Sequence, residues 1–157
     1  MAQAKSNALA AASVQTPLQA IVSGTMVLTL DGELPVEFLQ PGDRILTRAG
    51  ARRVKQVAVT LVRNARVVKI AHDTLGVDRP SVDVTVSADQ QILIRDWRAK
   101  AMFGQNQAMI PAARLVDGEY IRAEIVAEMR FFELSFDEDA VIYAGGLELA
   151  CPALVTA

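Results

Sequence analysis

Along this chain, apolar and polar positions alternate in short runs and show no sustained helical period. Residues 82–86 set Val82, Val84 and Val86 against Asp83 and Thr85, and residues 53–61 space Val54, Val57 and Val59 among other side chains. Runs of this kind place one face of a strand on a core and the other toward solvent. Further short strands are predicted at 25–30, 44–47, 65–71, 92–94, 130–136 and 140–144. Asp31-Gly32 and Ala49-Gly50 supply turn chemistry between them. Helix fits only 35–39, 97–103 and 111–116, all short. The pattern predicts a mostly β domain built of short strands.

One short pattern occurs twice. Pro35, Leu39, Gly42, Asp43 and Ile45 recur as Pro111, Leu115, Gly118, Glu119 and Ile121, at a constant offset of 76 residues. Each copy reads as a one-turn helix opened by proline, with a leucine directed at the core. A glycine then bends the chain, an acid follows, and a strand starts at the isoleucine. Duplication predicts two similar halves about a pseudo-two-fold axis, sharing one core.

Composition narrows the function classes. With 52% apolar and 22% charged residues, the chain has material for a real core, and disorder over most of its length is excluded. A net charge of -2 and a pI near 5.4 argue against a nucleic-acid surface or a polybasic membrane patch. The basic cluster Arg52, Arg53 and Lys55 reads as a solvated turn. Cys151 is the single cysteine and His72 the single histidine, which excludes an intrachain disulfide and zinc sites built from several such ligands. No loop has the alternating Asp spacing of a dedicated calcium site, so neither metal nor cofactor is expected. Residues 1–19, Ala- and Ser-rich and ended by Pro17, read as a flexible tail without signal-peptide features. The domain is expected at 20–150 with a short tail at 151–157. No stretch is apolar enough to span a bilayer. A cytoplasmic location is the default, with signal-independent secretion left open.

The run Gly24-Thr25, Asp31 to Glu37 and Leu39 to Thr47 resembles the opening of a bacterial Hint (hedgehog/intein) domain. Val86 to Ile94 is similar to that family's Ser-Pro-x-His segment, and Ile110 to Gly118 to its Val-Pro-Ala element. Phe131 to Leu147, with Asp137 and Gly146-Leu147 in place, resembles its closing strands. The resemblance implies a horseshoe-like β fold with pseudo-two-fold symmetry, which accounts for the duplication. It also implies self-processing, in which a thiol or hydroxyl at the first residue of the domain attacks the preceding carbonyl. Counted in that register, the nucleophilic position holds Ala20 and the histidine position holds Gln90. Two further histidine positions hold Glu133 and Asp139. A methyl group cannot attack a carbonyl, and an amide does not titrate near neutral pH.

The remaining reactive side chains are read against plainer roles. Ser23, three residues from Ala20, is a turn serine or, under another register, a displaced nucleophile. Cys151 reads as a small buried hydrophobe. His72 reads as a surface histidine bonded to Asp73, and Asp137-Glu138-Asp139 as a solvated hairpin turn, with acid–base chemistry as its alternative. Trp97, Met102 and Phe103 read as packing on a helix. The leading expectation is a catalytically inactive Hint-like module with a structural or protein-binding role in a larger assembly. Such a module would act through a sheet edge or an apolar face, with a protein partner or a second copy. The competing expectation is a residual self-cleaving domain that uses Ser23.

Overall fold

A computed structural model describes residues 16–154, so most of the expected tail lies outside the described residues. Turn glycines, prolines and short apolar runs divide the described residues into twelve strands, and every pairing between them is antiparallel. Four of them, β1 (Ile21–Val22), β6 (Gln56–Ile70), β7 (Val84–Ser87) and β10 (Ile121–Ser135), close on one another as a small barrel.

The other eight form one sheet. They are β2 (Met26–Thr29), β3 (Gly32–Pro35), β4 (Arg44–Thr47), β5 (Gly50–Arg53), β8 (Gln91–Ile94), β9 (Ala108–Pro111), β11 (Ala140–Ala144) and β12 (Leu147–Cys151). The main path runs β3-β2-β4-β11-β12-β8-β9, with β5 paired outside β4. One core joins sheet and barrel, and Ile45, Ile92, Ile110, Ile121 and Leu149 in it are fully buried.

The duplicated motif has the same geometry in both copies. Pro35 and Pro111, with φ -58 and -60, each precede a one-turn 3-10 helix, at Val36–Phe38 and Ala112–Leu115. Proline pre-sets that φ and lacks only an N–H that the first turn leaves unpaired in any case. Leu39 and Leu115 are buried, and Gly42 and Gly118 carry φ of 97 and 82 before the strands that start near Ile45 and Ile121. The strand pairs feeding the helices match too: Met26 lies opposite Pro35, and Gln91 opposite Pro111. The first residue of each helix hangs from the equivalent carbonyl, and the second helix has a further bond from Ala113 N to Ala88 O at 2.8 Å. Val36 N donates to Thr25 O at 2.9 Å, and Ala112 N donates to Gln90 O at 2.9 Å.

Strand length departs from expectation. The predicted strands at 53–61 and 65–71 are one 15-residue strand, β6, and the strand predicted at 130–136 begins at Ile121 as the 15-residue β10. Asn64, at φ 53, breaks the pattern inside β6, a conformation asparagine tolerates. The register with β10 nevertheless continues, with Val126 opposite Ala65 and Glu128 opposite Arg63. The basic cluster is likewise not a turn, since Arg52 and Arg53 lie on β5, which pairs only with β4. Trp97–Phe103 is the α-helix α1, capped by the Asp96 carboxylate, which accepts from Arg98 N. Only part of its apolar group packs. Met102 lies against the core, whereas Trp97 is 69% exposed beneath the Arg98 guanidinium and Phe103 lies under that of Arg114.

A charged node ties three connecting segments to the sheet. Glu148 on β12, 5% exposed, accepts from Arg48 at 2.5 Å, Arg95 at 2.9 Å and Arg79 at 3.5 Å. Three guanidiniums share this one buried carboxylate, so its charge fixes the segments after β4, before β7 and after β8 at once.

Candidate functional site

Where β1 enters the barrel, the chain passes between β7 and β10: Ile21 lies opposite Val86 on one side and Phe132 on the other. Ala20 immediately precedes this crossing and is 1% exposed. Its methyl shares a small cavity of about 10 Å³ with Gln19, Gln90, Phe132, Leu149 and Cys151. That volume holds at most about one water. Two of the four positions expected to carry the reaction, Ala20 and Gln90, are therefore neighbours in space.

The second copy of the motif sets Gln90 in place. Its carbonyl holds the helix at Ala112–Leu115, and its side chain, on a residue 2% exposed, turns toward the incoming chain. Gln90 Nε2 donates to Gln19 Oε1 at 3.0 Å, to Gln91 O at 2.9 Å and to Ala150 O at 3.0 Å. Gln19 Oε1 also accepts from the backbone N–H of Gln91 at 3.0 Å, while Gln19 Nε2 donates to Asp89 O at 3.0 Å. Ser87 holds the main chain on either side of Gln19. Its hydroxyl donates to Leu18 O at 2.8 Å, and its N–H donates to Ala20 O at 3.0 Å.

Of the other two expected positions, Asp139 lies close by and Glu133 does not. Asp139 lines a cleft of about 320 Å³ that it shares with Gln19 and Cys151, and its carboxylate accepts from Ala153 N at 2.8 Å. Glu133 follows Phe132 on β10 and pairs with Ala58. Strand alternation turns it away from the face on which Phe132 and Leu134 meet the cavity, and burial pushes its carboxyl above the usual range.

Ser23 is not at the cavity either. Its hydroxyl donates to Glu37 Oε2 at 3.2 Å in a separate cleft bounded by Gly24 and residues 82–85. The N–H of Gly24, 2.7 Å from Glu37 Oε1, holds that carboxylate below its ordinary pKa, which weakens it as a base. Cys151 does border the cavity, a placement the sequence reading did not give it. Burial pushes its thiol up to about 12, so it remains protonated at neutral pH.

His72 bonds Asp83, at 3.1 Å, instead of the expected Asp73; the Asp83 carboxylate raises its pKa, with a smaller charge contribution from Asp73. The sequence neighbour loses because the chain returns through residues 80–83, which sets Asp83 Oδ1 on both the ring and the backbone N–H of His72. The acidic turn after β10 faces a cleft of about 450 Å³ whose other wall is Arg52, Arg53 and Lys55, and Lys55 Nζ lies 3.4 Å from Asp137. Among the described residues no three His, Cys, Asp or Glu side chains gather as a metal site. No helix among them is long and apolar enough to cross a membrane.

Gln19 and Ser87 carry as much of this arrangement as Ala20 and Gln90. Ser87 opens the Ser-x-x-Gln segment and was thus visible as a motif residue. Gln19 had no local signal, because its partners lie 70 to 72 residues away.

The family model described as the Hint domain matches residues 19–151. A bacterial intein-like domain from Clostridium thermocellum is similar in structure with a TM-score of 0.58 and 15% identity, over 86% of this chain and 99% of that one. The TvoVMA intein has a TM-score of 0.60 at 11% identity, over 86% and 98%. The MchDnaB-1 intein has 0.53 at 16%, over 84% and 99%. At such identities these likenesses concern the fold. No curated protein matches the chain.

Proposed function

Because the chain belongs to the Hint-domain family, we propose that it is a Hint module that has kept the fold and lost the self-processing reaction, and that its role is structural or protein-binding. The observation carrying this reading is the group set at the cavity. Where the reaction needs an activated nucleophile beside a titratable base, Ala20 offers a methyl and Gln90 an amide whose two N–H groups are shared among three nearby acceptors. Cys151 does not replace the nucleophile, since its thiol has neither histidine partner nor accessible pKa. Edge strand β5, exposed at all four residues, offers backbone groups through which a protein partner can add a strand.

Intact-mass spectrometry of the freshly purified full chain tests the loss of reaction. The expected result is an unchanged mass over several days, with or without added thiol or hydroxylamine. A product beginning at Ala20 would overturn the proposal. One beginning at Ser23 would establish the residual self-cleaving reading instead.

A further inference from the structure

The hydrogen bonds around Gln19 form a recognition site whose ligand is already present. We propose that the centre is a peptide clamp that binds Leu18–Ala20 of its own chain and reads a glutamine at position 19. This inference rests on the loss of self-processing proposed above, since a cleaved chain would release Leu18 and Gln19.

Both components of a peptide-recognition site are present. Ser87 grips the main chain without regard to side chain, by its hydroxyl on Leu18 O at 2.8 Å and its N–H on Ala20 O at 3.0 Å. The side chain at 19 is read by groups of fixed polarity. Its oxygen takes two N–H groups, from Gln90 Nε2 and Gln91 N, and its nitrogen gives one to Asp89 O, each at 3.0 Å. A carboxamide meets both demands, because it carries donor and acceptor on one planar group. Glutamate would set an oxygen against the Asp89 carbonyl, and alanine would leave Gln90 and Gln91 without that acceptor. At Leu18 only the main chain is held: its carbonyl accepts from Ser87, while the residue is 64% exposed.

Selectivity follows from the backbone groups at Asp89 and Gln91. Gln90 Nε2 keeps Gln91 O and Ala150 O as acceptors whatever stands at position 19, so the reading falls on the Gln91 N–H, for which Gln19 Oε1 is the acceptor at 3.0 Å. The pseudo-symmetric position, Thr25, holds its own helix by the same backbone bond, which makes Val36 N–H an internal control.

Amide hydrogen exchange by NMR on the full-length chain tests the clamp, with intact mass recorded on the same samples. In the unsubstituted chain the Gln91 and Ser87 amides should be protected. Gln19→Ala and Gln19→Glu should each speed exchange at Gln91 by about tenfold or more while leaving Val36 unchanged. Ser87→Ala should release Leu18, read as faster proteolysis upstream of Ala20. If Gln91 is unprotected in the intact chain, or equally protected in the Gln19 variants, the clamp is wrong even where the mass shows no cleavage. A cleaved mass overturns the loss-of-reaction reading instead, so the two failures are distinct. Equal acceleration at Gln91 and Val36 in every variant would reveal a global loss of stability and would also count against the clamp.

Discussion

Cys151 shows how far one side chain's surroundings decide its chemistry. The thiol lies in the core beside Ala20 and Gln90, and burial alone pushes its pKa to about 12. A thiol-directed reagent at pH 8 should therefore leave the folded protein unmodified and label one equivalent after denaturation, checked by mass. The same shift gives a pH dependence. Because the folded pKa lies above the unfolded one, the protonated thiol is favoured by folding, and stability falls once pH exceeds the unfolded value near 9. The loss amounts to about 1.4 kcal/mol per pH unit between there and the folded value. Urea melts at pH 8 and pH 10 should differ by less in Cys151→Ala than in the unsubstituted protein. Ala20 and Gln90 were legible at this scale because they sit at fixed distances from Gly24 and Ser87. The partnership of Gln90 with Gln19 was not, since nothing local marks a side chain whose partner is 71 residues away.

Among the elements, the repeated proline-helix-glycine-strand unit was legible almost in full, because each step is set by covalent constraint at one residue. Pro35 and Pro111 fix φ, and Gly42 and Gly118 occupy φ values of 97 and 82 that side chains avoid. A Cβ added at either glycine meets nothing within 4 Å, so any cost of substitution comes from the backbone alone. Gly42→Ala and Gly118→Ala should each destabilise the protein by about 1–2 kcal/mol, and by similar amounts, in denaturant unfolding. A difference well beyond that range would show that the two copies are not mechanically equivalent. The long strands were not legible, for the converse reason. The middle of β10, around Ala123, Glu124, Ile125 and Ala127, lacks an alternating face, and Ile125 is 70% exposed. Pairing with β6, interrupted only at Ala127 and Asn64, maintains that segment, and pairing across the chain leaves little trace in local sequence.

For the molecule as a whole, the Glu148 node and the residue-90 region hold distant segments together in different ways. Removing the charge at Glu148 leaves three guanidiniums facing one another around a neutral group. Glu148→Gln should cost about 2 kcal/mol, discounted from the fully buried case because the arginines remain partly exposed, and 1 M salt should recover part of it. The midpoint should fall while the denaturant slope stays fixed; a shift below about 0.5 kcal/mol would mean the node is screened by solvent. At residue 90 the labour is divided within one amino acid: the main chain supports Ala112, as Thr25 supports Val36, whereas the side chain faces the cavity. Architecture there belongs to an atom every residue type possesses, and identity to atoms that vary. A change of side chain at such a position can therefore exchange one chemistry for another and leave the bond that carries the helix in place.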